Sequence, residues 1–431
     1  MKPYVVIGAG PMGLCTVRRL AEQNIPVCAF EIHSGVGGLW DINSPTSTMY
    51  ESAHLISSKR MTEFADFPMK DEVATYPRHD QMAAYLQDYA DHFNLQQYYR
   101  FNTRVDKVEP DGKDWRIHFT HGGKQESLDC AGVLLANGTL HEPRHGDFKG
   151  HFGGEMLHSS EYRSADIFAG KRVLIIGCGN SACDIAVDAV HRAASVDMVV
   201  RRGYYFLPKF VAGVPTDTLG GKIRLPNRLK QMVDGTLVRL ISGKPSSFGL
   251  PDPDYRMYES HPVVNSLFLH HIGHGDIKVR PAIKQLTSAG AEFNDGLSGH
   301  YDLIMESTGY NLHYPFIDQQ YLNWQGDAPA LYLNVFTPHF DNLFVMGMVE
   351  ASGLGWQGRD DQAQLVARFI RSREDKSPAA DQFMQKVRNH AGQRVDGGLK
   401  YLQLARMAYY VHKADYLDAI GRARKALEAG A

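Results

Sequence analysis

The chain of 431 residues is 43% hydrophobic and 22% charged, ordinary proportions for a globular protein large enough for two or three domains. Lys plus Arg number 46 against 48 Asp plus Glu, and the resulting net charge of -2 offers no basic face to nucleic acid or an anionic membrane. No segment approaches the ~20 consecutive apolar residues of a membrane helix, so neither partner is expected.

The first element is a short apolar strand, Tyr4 to Ile7, which Met1-Lys2-Pro3 enters without the pattern of a removable signal. Gly8-Ala9-Gly10-Pro11-Met12-Gly13 follows. A helix is predicted from there to about Asn24, with Leu14, Val17, Leu20 and Ala21 spaced for one buried face. A second strand, Val27 to Phe30, ends at Glu31. Glycines in such a turn adopt backbone conformations costly for other residues and let the backbone approach a pyrophosphate, while the helix N-terminus offers it free N–H groups. Glu31 can accept hydrogen bonds from ribose hydroxyls, and its charge would repel a 2′-phosphate, which suits FAD. Tyr99 to Phe119 reads as a β-meander with an Asp111-Gly112 turn, and Val133-Leu134-Leu135-Ala136 is an apolar strand running into Asn137-Gly138.

The same order then recurs. Arg172 to Ile176 is a strand, and Gly177-Cys178-Gly179-Asn180-Ser181-Ala182 is a second glycine turn with alanine in its last small-residue position. The next helix carries Ile185, Ala186, Ala189 and Val190, and the strand Val196 to Val200 ends at Arg201-Arg202. A guanidinium there would bind a 2′-phosphate in bidentate fashion, favouring NADPH over NADH. Ile277 to Phe293 is a second meander, with Asp295-Gly296 beside it, and Leu303 to Gly309 closes the unit. From Gly8 to Gly138 is 130 residues, and from Gly177 to Gly309 is 132. The chain is thus read as α/β, with two Rossmann-like dinucleotide-binding domains, for FAD and for NADPH, in a glutathione-reductase-like architecture. The boundaries are residues 1–165 for the first part of the FAD domain, 166–310 for the NADPH domain (or an end nearer 280), and 311–431 for the second part of the FAD domain. Cys15, Cys28, Cys130, Cys178 and Cys183 lie scattered in apolar segments and read as reduced residues, pointing to the cytoplasm.

Between the two units lies Phe152-Gly153-Gly154-Glu155-Met156-Leu157-His158-Ser159-Ser160-Glu161-Tyr162, which resembles the FxGxxxHxxxY pattern of the flavin-containing monooxygenase family. Gly37-Gly38-Leu39-Trp40 resembles that family's flavin-contacting GGLW, and Thr103-Arg104-Val105 its strand against the adenine of FAD. Ser307-Thr308-Gly309-Tyr310 resembles its ATGY, and Asp361-Gln362-Ala363, more loosely, its ELQAR segment near the flavin. The resemblance implies FAD contacts at Gly38, Leu39, Trp40, Val105 and Gln362, and a role for His158 in organising the pyridine-nucleotide side. The polar C-terminal segment Arg422 to Glu428 is similar to soluble bacterial members, some of which form homodimers. One departure stands out. The family's active-site asparagine precedes a lysine by three residues, and here Leu55-Ile56-Ser57-Ser58-Lys59 puts Ile56 in that place. An isoleucine side chain neither donates nor accepts a hydrogen bond.

The activity implied by the resemblance is NADPH- and O2-dependent oxygenation of a small molecule, at an amine nitrogen or a sulfide sulfur, through a flavin C4a-hydroperoxide. Ile56 then predicts a shorter-lived oxygenating state or a pocket reshaped for an apolar or carbonyl substrate. Baeyer–Villiger oxidation of a ketone and uncoupled NADPH oxidation are the alternatives. Two rivals differ in class. A flavin disulfide reductase would need a redox pair facing the flavin, whereas Cys178 and Cys183 lie in the second glycine turn and its helix. A non-enzymatic FAD/NADPH sensor is favoured only by Ile56. His270-His271 and the other histidines show no metal-ligand spacing, so no metal is expected.

Overall fold

A computed structural model describes residues 2–219 and 225–429. The internal repeat is visible in it as two five-stranded parallel sheets. In the first, the strands Leu343–Val345, Gly132–Leu135, Tyr4–Ile7, Val27–Phe30 and Tyr99–Arg100 lie side by side in that order. In the second the order is Glu155–His158, Leu303–Glu306, Arg172–Ile176, Ser195–Val199 and Ile277–Arg280. Every neighbouring pair is parallel. Helices and meanders cover both faces of such sheets, which is why the central strands are unbroken apolar runs such as Tyr4-Val5-Val6-Ile7, all four buried.

The two sheets match strand for strand except in where the fifth strand comes from. The first borrows Leu343–Val345 from far downstream, while the second takes Glu155–His158 from upstream of its own glycine turn. A division at residue 165 therefore cuts this strand from the sheet that holds it. The expected meanders also begin later than alternation alone predicts. Tyr99–Arg100 and Ile277–Arg280 pair with the parallel sheets, and the antiparallel triplets are 103–130 and 283–300.

The helix Pro11–Glu22 has Pro11 at its first position, where the missing N–H costs nothing, and buries Leu14, Val17 and Leu20. It packs against Gln357–Glu374, which in turn packs against Lys413–Ala429. Arg19 clamps the first contact by donating to both oxygens of the fully buried Asp360, at 2.8 and 2.5 Å. A bidentate geometry is what makes a buried ion pair tolerable, and removing either partner alone is costly. The C-terminal third of the chain is thereby fixed to the first unit. A helical arm, Asn227–Ser242, lies outside both sheets with Met232 and Leu240 exposed.

Candidate functional site

At the first glycine turn, three pieces of backbone cross too closely for side chains. Gly8 sits at φ 113°, and a Cβ there would lie 2.6 Å from the carbonyl oxygen of Ala136 at the end of the closing strand. A Cβ on Gly13 would lie 1.9 Å from the Gly8 carbonyl oxygen. The turn is backed by Gly37, whose N–H donates to the Ala9 carbonyl at 3.0 Å, so the single helical turn Gly38–Trp40 stands against Gly10. Glu31 is 6% exposed, and its carboxylate accepts from the N–H groups of Ala9 at 2.6 Å and His33 at 2.9 Å. Burial pushes its pKa above the usual carboxylate range, and the two backbone donors oppose that shift. A bare backbone turn, the free N–H groups of a helix start and a carboxylate beside them fit an FAD pyrophosphate and ribose.

The second turn repeats this geometry. Gly177 sits at φ 121°, with a hypothetical Cβ 2.4 Å from the carbonyl oxygen of Ser307. Gly10 and Gly179 cap their helices at nearly the same angles, φ -73° with ψ -178° and φ -80° with ψ -179°. Pairing also fixes which residues correspond. Ile7 lies opposite Phe30, and Ile176 opposite Val199. The next N–H donates outward in each unit, Glu31 to Arg100 at 3.1 Å and Val200 to Arg280 at 3.0 Å. Buried Val200 therefore stands in the place of Glu31, and Arg201 and Arg202 come one and two residues later, which corrects the equivalence expected from the strand ends. Arg201 is exposed. Arg202 is half-buried, lies 4.8 Å from the centre of the Tyr204 ring and donates to its hydroxyl at 3.2 Å. The second turn thus lacks an acid where the first has one and carries two cations beyond it, which fits a 2′-phosphate.

One cavity of about 1690 Å³ joins the two turns. From the first unit Gly8, Gly10, Pro11, Met12, Glu31 and Val105 line it, as do Gly38, Leu39 and Trp40. Asn180 and Ser181 line it from the second. Ile56 is on its wall, held by flanking backbone bonds: Leu55 N–H to the Pro77 carbonyl at 2.9 Å and Ser58 N–H to Asp217 Oδ2 at 2.6 Å. The same wall carries Leu55, Met61, Leu207 and Leu354 together with Ser57, Thr62 and Asp217.

Other predicted residues stand behind this surface. Gly13, Gly177, Gly179 and Ala182 shape the turns without lining the cavity, and Arg201 and Arg202 do not reach it either. Gln362 is fully buried behind Gly347: its Oε1 accepts from Gly347 N–H at 2.8 Å and its Nε2 donates to the Tyr416 hydroxyl at 2.7 Å. It supports the wall instead of touching what the cavity holds. His158 is 1% exposed at a strand end. Its Nε2 donates to the Gly309 carbonyl at 3.1 Å while Nδ1 accepts from Ser160 N–H at 3.1 Å, and burial lowers its pKa, so it serves as a neutral brace on the closing strand. Cys178 and Cys183 lie 3.9 Å apart, sulfur to sulfur, both buried and off the cavity, so they do not form a redox pair facing it.

Glu350 and Asp184 are among the polar groups on the cavity wall that carried no motif. Glu350 accepts from Arg406 at 3.0 Å, next to His261, which burial holds down at about 3 and whose Nδ1 pairs with the Tyr410 hydroxyl at 3.0 Å. Asp184, one turn into the helix of the second unit, has its pKa pushed up to about 6 by burial. Among the described residues, no group of three or more His, Cys, Asp or Glu side chains is placed to hold a metal ion, and no helix is long and apolar enough to cross a membrane.

The family model for flavin-binding monooxygenase-like proteins matches residues 1–427. Flavin-containing monooxygenase 1 of Mus musculus is 29% identical over 445 residues, covering 97% of this chain and 83% of that protein. Indole-3-pyruvate monooxygenase YUCCA1 of Oryza sativa subsp. japonica is 33% identical over 340 residues, covering 76% of this chain and 80% of its own. The solved structure of OTEMO in complex with FAD and NADP shares the fold at a TM-score of 0.73 and 18% identity, over 100% of this chain and 98% of that one.

Proposed function

Because the chain belongs to the flavin-binding monooxygenase-like family, we propose that it is an NADPH- and O2-dependent monooxygenase acting on a soft nucleophile, an amine nitrogen or a sulfide sulfur. The observation that carries the proposal is the single cavity lined from both glycine turns, where two dinucleotides would share one space. FAD and NADPH supply the redox chemistry: NADPH, a proton and O2 become NADP+, water and one oxygen atom delivered to the substrate.

The chain's own residues bind, orient and exclude water. Gly8 to Gly13 and Glu31 would hold the pyrophosphate and ribose of FAD, with the GGLW turn and Val105 along its length. Asn180 and Ser181 at the second helix start would face the NADPH pyrophosphate, and Arg201 and Arg202 its 2′-phosphate. The apolar wall of Leu55, Ile56, Met61 and Leu354 keeps water from the reacting centre, the role expected of a cavity whose oxidising chemistry must not leak to peroxide. No side-chain nucleophile or acid–base pair is required. Ile56 favours one second reading, a ketone substrate, because the isoleucine side chain accepts no hydrogen bond from the N–H of an amine, whereas a ketone carries no donor to satisfy. A cytoplasmic location, supported by the five free cysteines, and a homodimer covering the exposed arm are part of the same proposal.

The test is spectroscopic and simple. The purified yellow protein is expected to bleach with NADPH under anaerobic conditions and to recover in air. With a panel of amines, sulfides and ketones, NADPH use above the peroxide background then identifies the substrate class. A yellow protein indifferent to NADPH would sink the proposal.

A further inference from the structure

Three segments converge on one side chain that the proposed reaction does not otherwise use. Asp184 lies on the cavity wall, on the helix Asn180–Val190 that starts at the second glycine turn. Its Oδ2 accepts from the Tyr50 hydroxyl, which belongs to the first unit, at 3.2 Å. Its Oδ1 accepts from Asn265 Nδ2 at 2.6 Å, and Lys209 faces it from a third segment. One turn further along the helix, Asp188 accepts from Ser52 Oγ and from the Tyr162 hydroxyl at 2.8 Å. Tyr50 and Ser52 stand at the start of the stretch that continues through Ala53 and Leu55 to Ile56. Ala53 and Leu55 are in turn bonded to His79 N–H at 3.0 Å and the Pro77 carbonyl at 2.9 Å. The wall bearing Ile56 is therefore fastened at one end to the helix whose other end forms the second nucleotide turn.

We propose that Asp184 is a positioning residue that sets the registry between a nucleotide at the second turn and the cavity wall bearing Ile56, by holding Tyr50 and Asn265 at once. The proposal rests on the monooxygenase reading for what that registry serves, namely transfer between two bound nucleotides, where misplacement by about an ångström costs on the order of 100-fold. The groups that face the carboxylate are Tyr50, Asn265 and Lys209, with Asp188 and Cys183 on its own helix. Of these only Lys209 is a cation, and burial lowers its own pKa. Asparagine at this site keeps an acceptor for one of the two donors and cannot titrate, whereas alanine removes both contacts.

The experiment compares wild type with Asp184→Ala, Asp184→Asn and Tyr50→Phe, all as FAD-loaded protein. Amide hydrogen exchange over residues 47–56 is measured without pyridine nucleotide, and anaerobic flavin reduction is followed against NADPH concentration. Asp184→Ala and Tyr50→Phe are expected to raise exchange in 47–56. They are also expected to lower the limiting reduction rate on the order of 10- to 100-fold, with the apparent Kd for NADPH moving less than about threefold. Asp184→Asn is expected to restore most of the rate and to remove a pH dependence near 6. Unchanged exchange in 47–56 in Tyr50→Phe, or a change in Kd alone, would overturn the proposal. Tyr50→Phe keeps the buried ring, so it decides the matter if Asp184→Ala does not fold. If no variant, wild type included, is reduced by NADPH, the function reading fails and the exchange comparison still decides the latch.

Discussion

The carboxylate of Glu31 lies 2.6 Å from the amide nitrogen of Ala9, so the residue ending the second strand is bonded to the turn that follows the first. This one contact fixes the turn together with the carboxylate proposed to accept from a ribose. Glu31→Ala is expected to weaken FAD binding by about 10- to 100-fold, the cost of ~1–3 kcal/mol for orphaning buried donors. Flavin retention after dialysis, read by absorbance, checks it; retention equal to wild type would remove Glu31 from the FAD site.

At the second turn, the register places Val200 where Glu31 would be and Arg201 and Arg202 just beyond. Replacing both arginines with glutamine is expected to lower the NADPH-over-NADH preference by about 30- to 100-fold, with the NADH reaction little changed, since a charge-assisted bond to phosphate is worth ~1.5–3 kcal/mol. Arg202→Gln alone also frees Tyr204, so the exposed Arg201 gives the cleaner single variant. Steady-state kinetics with both nucleotides provide the ratio.

Asp184 makes stability depend on pH in a definite direction. Its pKa is about 6 in the folded protein against an ordinary 3.8, so between those values the folded state binds the extra proton. Stability from this group is therefore fully present below about 4, falls as pH rises to about 6, and stays lost above that. Asp184→Asn is expected to be more stable than wild type at pH 8, by ~3 kcal/mol at most, with the gap closing toward pH 4. Thermal unfolding of both proteins across that range shows it. A gap that widens on acidification would contradict a carboxylate whose burial outweighs its hydrogen bonds.

Much of this was legible in the sequence because glycine turns, strand periodicity and strand-end residues are local signals. Both turns and the closing strands could be read from spacing, whereas Ile56 was singled out by the family resemblance. What spacing could not supply was long-range pairing. Nothing local marks Glu155–His158 as part of the second sheet, because its partner Leu303–Glu306 lies far along the chain. Nor could the strand end tell Val200 from Arg201, since one residue of register decides it. Gln362 and His158 were read as contacts but stand behind the surface, bonded to Gly347 and Gly309. No local pattern marks Asp184, because its donors Tyr50 and Asn265 come to it from distant parts of the chain.

In the proposed reaction Ile56 would offer the reacting centre shape and dryness but no hydrogen bond. Ile56→Asn is expected to lower the share of consumed NADPH that appears as hydrogen peroxide, about two- to tenfold, if a donor at this place protects the oxygenating state. Peroxide and NADPH measured in the same cuvette give the share. An unchanged or greater share would assign Ile56 to substrate shape alone.

One cavity is proposed to couple NADPH oxidation to insertion of one atom of O2, and isotope labelling tests this coupling most directly. With a sulfide or amine that raises NADPH consumption, turnover under 18O2 is expected to give product carrying one 18O, with NADPH consumed and product formed in near-equal amounts. Product carrying oxygen from water, or NADPH consumption accounted for wholly by peroxide with every substrate class tried, would contradict it.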